Sequence, residues 1–143
     1  LRNSGRTIGR FSSAAENGVD PVVGWLVCVK GPYYGQSFPL KSGKNRIGRA
    51  QSMDVRLLND SSVSRDCVAV IVYDAKIGDF SVIPGDSDSL CYWNEAAVYA
   101  REQLTAYDTL ELGDSGRNAF IFVPLCGERF SWADRQPDEA RRD

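Results

Sequence analysis

The chain has 143 residues, with 17 basic and 19 acidic side chains, a net charge of -2 and no histidine. The lack of histidine excludes Ser-His-Asp and Cys-His catalysis as well as histidine-ligated zinc and iron sites. The near-neutral charge gives no reason to expect nucleic acid or an anionic membrane as the partner, and no apolar run is long enough to span a bilayer. We therefore expect one domain with tails that is not an enzyme and holds no cofactor or metal.

The first segment of the chain, residues 1–20, is polar and lacks a sustained apolar period, which predicts a flexible N-terminal tail. Because the first residue is Leu1 rather than methionine, we expect the chain to be part of a longer protein. No signal peptide is visible, so a cytoplasmic location is expected.

Residues 21–126 are made of short apolar runs that alternate with turn residues, as is typical of β-structure. The run at 22–30 is rich in valine and ends at Gly31-Pro32, and the run at 67–73 is rich in β-branched residues, as expected for a buried central strand. Further short strands are predicted at 37–40, 45–48, 55–58, 79–83, 90–93, 97–99, 109–112 and 119–125. Roughly ten short strands indicate an all-β sandwich.

The last segment, residues 127–143, is highly charged and predicts a second solvated tail. Phe130 and Trp132 are the exceptions, and we expect them to pack the start of this tail onto the body.

The four cysteines are far apart and form no Cys-x-x-Cys pair, which argues against a metal knuckle. Three of them, Cys28, Cys67 and Cys126, lie in or beside apolar runs. Buried reduced thiols in a cytosolic protein are therefore favoured over disulfides.

Two polar loops follow predicted strands and combine arginine with hydroxyl groups. The first, at 47–52, contains Gly48-Arg49, and the second, at 60–65, ends in Ser64-Arg65 before the 67–73 strand. A guanidinium fork with hydroxyl and backbone N–H donors can bind an oxyanion such as phosphate. Composition alone favours the simpler interpretation of two solvated loops.

The order of several short motifs adds information that no single motif carries. The motifs are Gly35-Gln36-Ser37-Phe38-Pro39-Leu40, Gly43, Gly48-Arg49, Ser64-Arg65, Asn94 before Val98, Leu104, Asp108-Thr109-Leu110-Glu111-Leu112-Gly113 and Phe120-Ile121-Phe122. Their succession resembles the forkhead-associated (FHA) domain, a phosphothreonine-recognition module. The resemblance covers about residues 22–126, and its two ends look most like bacterial members.

This resemblance implies an eleven-stranded β-sandwich of two twisted sheets, whose apical loops bind phosphothreonine peptides in bacterial signalling. By position, Arg49 would contact the phosphate, Ser64 would donate its hydroxyl to it, and Arg65 would hold the peptide backbone or add charge. The alternatives are that Ser64 only caps a turn and that Arg65 pairs with Asp60 or Asp66.

The chain also departs from the family pattern. Cys67 stands where the family has a histidine that braces the binding loops. Ser89-Leu90-Cys91 replaces Asn-Gly-Thr, so Ser89 would supply only part of the contact to the peptide main chain, and Asp86 and Asp88 beside it would repel phosphate.

A later Asn-Gly of the family is Asn94-Glu95 in this sequence. This change is tolerated best if Asn94 takes a positive φ, which favours a structural role for Asn94 over a contact to the peptide.

Two functions remain open on this basis. The first is a phosphothreonine-dependent protein interaction module, and the second is a degenerate FHA scaffold that binds its partner without phosphate. Thr7 in the N-terminal tail is a candidate phosphorylation site that could dock on this domain or on a neighbouring one. An unmodified linker threonine is the simpler interpretation of Thr7.

Overall fold

The computed structural model describes residues 20–113 and 116–135. Thr7, residues 1–19 of the predicted N-terminal tail and residues 136–143 of the predicted C-terminal tail lie outside the described residues. Within the described ranges the chain forms eleven strands, and a 3-10 turn lies at Trp132–Asp134. The strands are β1 (Val22–Lys30), β2 (Ser37–Lys41), β3 (Gly43–Gly48), β4 (Val55–Arg56), β5 (Ala69–Asp74), β6 (Asp79–Pro84), β7 (Tyr92–Trp93), β8 (Ala96–Ala97), β9 (Glu102–Gln103), β10 (Thr109–Leu112) and β11 (Asn118–Pro124).

These strands form two sheets that pack face to face. One sheet has the order β2-β1-β11-β10-β7-β8 and the other has the order β4-β3-β5-β6-β9. Strands β3 and β4 pair in parallel, while the long pairs β1–β11, β3–β5 and β5–β6 are antiparallel. The predicted all-β sandwich of about eleven strands in two sheets is confirmed.

The core lies between the sheets and is built from alternate residues of each strand, because successive side chains point to opposite faces. Leu26 of β1, Ile71 of β5 and Phe122 of β11 are at most 1% exposed. The rings of Phe80 and Phe122 meet across the sheets in an edge-to-face contact with centroids 4.7 Å apart. This packing holds the strand ends, and the loops that leave them, in fixed positions.

All four cysteines are buried and free of disulfides. Burial raises the pKa of Cys91 to about 12, so this thiol stays protonated at neutral pH. In the part of the chain that the structure describes, no helix is long and apolar enough to reach across a bilayer.

Trp132 connects the end of the described chain to its beginning. Its indole Nε1 donates a hydrogen bond to the carbonyl oxygen of Val22 at 2.6 Å. The ring of Phe130 meets that of Trp132 edge to face at 5.1 Å, and both rings pack against the core. The segment after β11 is thereby held beside the first residue of β1.

The Trp132→Phe variant tests this connection because it removes the hydrogen bond and keeps most of the ring packing. We expect the free energy of unfolding to fall by about 1 kcal/mol in urea denaturation. Tyr99→Phe, at a side chain that is 75% exposed, is the matched control and should leave the stability unchanged. A Trp132→Phe protein as stable as the wild type would show that this hydrogen bond contributes nothing.

Candidate functional site

Arg49 follows the last residue of β3 and is held by the loop that contains Ser64. Its backbone N–H donates to the carbonyl oxygen of Ser64 at 3.0 Å, and its side-chain Nε donates to that of Val63 at 2.9 Å. In the described part of the chain Arg49 has no ion-pair partner. Its two terminal nitrogens, Nη1 and Nη2, therefore form a fork that no carboxylate neutralises.

Gly48 allows this close approach. A Cβ at Gly48 would lie 2.8 Å from the carbonyl oxygen of Asp66 and 3.0 Å from Sδ of Met53. Any other residue would push the Arg49 loop away from the Ser64 loop. The Gly-Arg pair found in the sequence is thus required on packing grounds as well as for its charge.

Ser64 is half-buried and lies directly beside Arg49. Its Oγ accepts a hydrogen bond from the backbone N–H of Asp66 at 3.1 Å, so the turn-capping role is present. This bond uses a lone pair of the oxygen and leaves the hydroxyl hydrogen available for donation. Capping and donation to an anion are therefore compatible at Ser64.

Arg65 is exposed on the same loop. Neither of the ion pairs considered for Arg65 forms. Asp60 pairs instead with Arg117, whose Nε lies 3.2 Å from Oδ1 of Asp60. Asp66 has no ion-pair partner among the described residues. Arg65 thus adds an uncompensated positive charge beside Ser64.

The side chain of Cys67 contacts the Arg49 loop through apolar packing and not through a polar bond. Its thiol donates to the carbonyl oxygen of Ala69 at 3.2 Å and packs in a small apolar cluster with Met53 and Val70. Because Met53 belongs to the Arg49 loop, apolar contact rather than a polar side chain supports that loop from below.

The loop between β6 and β7, residues 85–91, docks on Cys67 through the main chain. Ser87 N–H donates to the Cys67 carbonyl oxygen at 2.9 Å, and Gly85 N–H donates to that of Val68 at 3.0 Å. A Cβ at Gly85 would lie 2.1 Å from the Cys67 oxygen, so only glycine fits. Sequence reasoning missed Gly85, for which the only signal was the Pro84-Gly85 turn after a strand.

Ser89 is exposed on this loop, and its N–H donates to Oγ of Ser87 at 3.0 Å. The nearby carboxylate of Asp86 lies 3.9 Å from Nη2 of Arg46. Such an exposed pair adds little to stability, but Arg46 offsets part of the negative charge of Asp86. Asp88 is exposed beside Ser89.

Asn94 lies away from this group. Its Oδ1 accepts from the backbone N–H of Thr109, the first residue of β10, at 2.9 Å. Gly113, just past the other end of β10, lies against the side chain of Ser62 on the Ser64 loop. The structure therefore brings Arg49, Ser64 and Arg65 together and docks the Ser89 loop beside them, while Asn94 sits at the opposite end of β10.

The turn that contains Asn94 has the expected strained backbone. Asn94 has φ of 47°, as predicted, and Glu95 shares the left-handed region with φ of 75°. Two successive residues with positive φ suit the tight hairpin between β7 and β8. Asn94 thus stabilises this hairpin and its junction with β10.

Asp60, on the Ser64 loop, is the buried centre of a hydrogen-bond network that sequence reasoning missed. It is 1% exposed, and its carboxylate accepts from Nδ2 of Asn118, from the N–H and Oγ of Ser62 at 3.0 and 2.8 Å, and from Nε of Arg117. Burial alone would raise the pKa of Asp60, but these hydrogen bonds and the Arg117 charge hold it below its usual value.

Proteins similar to this chain are found by comparing its structure with solved structures, and not by comparing its sequence with protein families. No family model matches the sequence, and no curated protein matches it either. An FHA domain studied for phosphothreonine-dependent interactions matches with a TM-score of 0.58 at 28% identity, over 70% of this chain and 94% of that one. The FHA domain of FhaA, complexed with the intracellular domain of Rv3910, matches with a TM-score of 0.57 at 28% identity, over 69% and 98%.

A third structure supports the fold alone because its identity is lower. It is an FHA domain from Arabidopsis thaliana, with a TM-score of 0.63 at 22% identity, over 84% of this chain and 100% of that one. By these structural neighbours the chain has the fold of an FHA domain, which is the fold of a non-catalytic binding module.

The Asp60→Asn variant tests the network around Asp60. Because the folded-state pKa is lowered, the ionised carboxylate stabilises the fold above the unfolded-state pKa of about 3.9, and this stabilisation is lost as the pH falls through the lower folded-state pKa. We expect the variant to be less stable than the wild type by about 2 kcal/mol at pH 7 in urea denaturation.

The difference between the two proteins should shrink as the pH falls below about 4. Asp88→Asn, at an exposed carboxylate, is the control and should show no such difference. If the difference in the free energy of unfolding between Asp60→Asn and the wild type stays constant from pH 7 to pH 3, the assigned ionisation of Asp60 is contradicted.

Proposed function

We propose that this chain is a phosphothreonine-dependent protein interaction module of bacterial signalling. The observation that carries the proposal is the state of Arg49. Its guanidinium is fixed by the carbonyl of Val63, the residue before Ser64, and has no ion pair with a described carboxylate. A fixed fork next to a hydroxyl donor is suited to a phosphate group, which presents several acceptor oxygens at once.

In this proposal the phosphate of phosphothreonine lies between Arg49 and Ser64. The Nη1 and Nη2 atoms of Arg49 donate to two phosphate oxygens, and Ser64 donates its hydroxyl hydrogen. Arg65 adds charge or holds the peptide backbone, and Ser89 supplies part of the contact to the peptide main chain. Each charge-assisted hydrogen bond contributes about 1.5–3 kcal/mol to binding.

The neighbours and the cysteines support the same function. One FHA domain at 28% identity is described by its phosphothreonine-dependent interactions, and another is complexed with the intracellular domain of a second protein. Four free thiols suit a reducing compartment, so we place the interaction in the cytoplasm. A phosphorylated Thr7, outside the described residues, is a second source of ligand in the same chain or a neighbouring one.

A second function, partner binding without phosphate, is favoured by the Ser89 loop. Ser89 is short and exposed, and the carboxylates of Asp86 and Asp88 flank it. The side chain of Cys67 points into an apolar cluster and makes no polar contact to this loop. On this alternative the chain is a degenerate FHA scaffold whose ligand is recognised by shape and apolar contact.

Calorimetry with a library of phosphothreonine peptides and their unphosphorylated copies separates the two functions. We expect the phosphorylated peptides to bind, and Arg49→Ala to weaken that binding at least about tenfold, because at least one charge-assisted hydrogen bond is lost. Lys44→Ala is the control, since Lys44 is an exposed cation near the start of β3, at the opposite end of that strand.

Equal binding of phosphorylated and plain peptides would overturn the proposal in favour of the degenerate scaffold. Unchanged phosphopeptide binding by Arg49→Ala would show that another residue holds the phosphate.

A further inference from the structure

A cleft of about 1000 Å³ borders the Ser64 loop at Asp60, Ser61 and Ser62. Three loops line it: the one between β1 and β2, the one between β4 and β5, and the one between β10 and β11. The polar side chains that line it are those of Lys30, Asn59, Asp60, Ser61, Ser62 and Arg117. The proposed phosphate site does not use this cleft, which we call the lateral cleft.

The walls of the lateral cleft are fixed before any ligand binds. The hydroxyl of Tyr33 accepts from the backbone N–H of Asn59 at 2.8 Å, which joins the first loop to the second. Arg117 and Asn118 both donate to Asp60, which joins the third loop to the second. A ligand that enters such a preformed site loses little free energy to ordering the protein.

The polar groups of the lateral cleft favour an anion. The Asp60 carboxylate is already occupied by donors from Ser62, Asn118 and Arg117, so it is a poor acceptor for a ligand. Arg117 uses Nε for this bond while its side chain remains 56% exposed, which leaves its terminal nitrogens for another acceptor. Lys30 and Ser61 are exposed at the same cleft.

Gly31 explains why the first loop can approach so closely. A Cβ at Gly31 would lie 2.6 Å from Oδ1 of Asn118 and 2.9 Å from the carbonyl oxygen of Arg117, and Gly31 has φ of 112°. Lys30 and Arg117 are therefore brought to the same cleft by a backbone contact that only glycine permits.

We propose that the lateral cleft is a second anion subsite, in which Lys30 and Arg117 bind a further acidic or phosphorylated side chain of the same phosphothreonine peptide. This inference rests on the proposed function. The Ser64 loop forms the boundary between the two subsites, because Val63 and Ser64 contact Arg49 while Asp60 and Ser62 line the cleft.

The length of that loop sets the spacing of the two anions. Ser62 is two residues from Ser64 and Asp60 is four residues from it, which corresponds to at most about 14 Å along the chain. An extended peptide advances about 3.3 Å per residue. The second anion is therefore expected about two to four positions from the phosphothreonine, and on one side of it only.

The test uses a singly phosphorylated peptide and a set of copies of it that each carry one additional anion. The additional anion is either phosphothreonine or glutamate, and it is placed in turn at each of the six positions before and the six positions after the first phosphothreonine. For every protein the quantity of interest is the gain, which is the affinity for the copy divided by the affinity for the singly phosphorylated peptide. In the wild type we expect a gain of about tenfold at one or two adjacent positions. A larger gain for phosphothreonine than for glutamate would identify phosphate as the preferred source of the anion, and equal gains would identify any acidic side chain.

The variants are Lys30→Gln, Lys30→Arg and Arg117→Gln, with Lys44→Gln as the matched control for the loss of one exposed lysine charge. The gain should fall to about twofold or less in Lys30→Gln, and it should persist in Lys30→Arg and in Lys44→Gln. Arg117→Gln keeps an amide that can donate to Asp60, and its thermal unfolding is measured alongside to show that it folds.

The outcomes separate the two claims. If the singly phosphorylated peptide binds but no position gives a gain, or if the gain is unchanged in both Lys30→Gln and a folded Arg117→Gln, the second subsite is wrong while the proposed function stands. If no singly phosphorylated peptide binds the wild type, the proposed function is wrong and the second subsite is wrong with it.

Discussion

The apical end of this domain depends on one buried carboxylate. An ionised Asp60 inside the protein is tolerated only if hydrogen-bond donors replace the water it has lost. Those donors come from Ser62 on its own loop and from Arg117 and Asn118, which are 57 and 58 residues further along the chain. The need to satisfy Asp60 therefore ties the loop after β4 to the start of β11 and fixes the shape of the loop.

The fixed loop in turn positions the proposed phosphate site. The carbonyl groups of Val63 and Ser64 point at Arg49 because the residues before them are anchored by Asp60. A long arginine side chain loses much conformational freedom when it is held in one geometry. In this fold the Arg49 side chain is already restricted before a ligand binds, because its Nε donates a hydrogen bond to the carbonyl oxygen of Val63.

The sequence pattern predicted the two-sheet sandwich because its long strands carry runs of alternating or continuous apolar residues. It predicted no strand at Glu102–Gln103, since a two-residue edge strand has no pattern of its own and is defined by its pairing with β6. The Asp60 network and the glycine requirement at Gly85 were also not predictable, because both depend on residues that are distant in sequence. Motif order singled out Asn94 and the Asn94-Glu95 turn favoured a structural role for it, while its place in the fold is set by the pairing of β7 with β10.

The absence of histidine has two consequences at different levels. It excludes histidine-based catalysis by the residues of this sequence, and it changes how the loops of the proposed phosphate site are supported. At position 67 the support comes from apolar packing with Met53 and from the main-chain hydrogen bond that Ser87 donates to Cys67, next to the one that Gly85 donates to Val68. Main-chain bonds do not depend on a particular side chain, which explains how cysteine can occupy this position without loss of the fold.

The most direct test of the central claim is an NMR titration of the ¹⁵N-labelled protein with a singly phosphorylated threonine peptide and its unphosphorylated copy. With the phosphorylated peptide, the largest shifts should fall on the amides of 49–52 and 61–66 and on the side-chain Nε–H of Arg49. The amides of Asn94 and Glu95, at the opposite end of β10, should remain unchanged, and the unphosphorylated peptide should cause no shifts. Shifts of equal size with both peptides, or shifts on a sheet face rather than on these loops, would contradict phosphate recognition at the apical end.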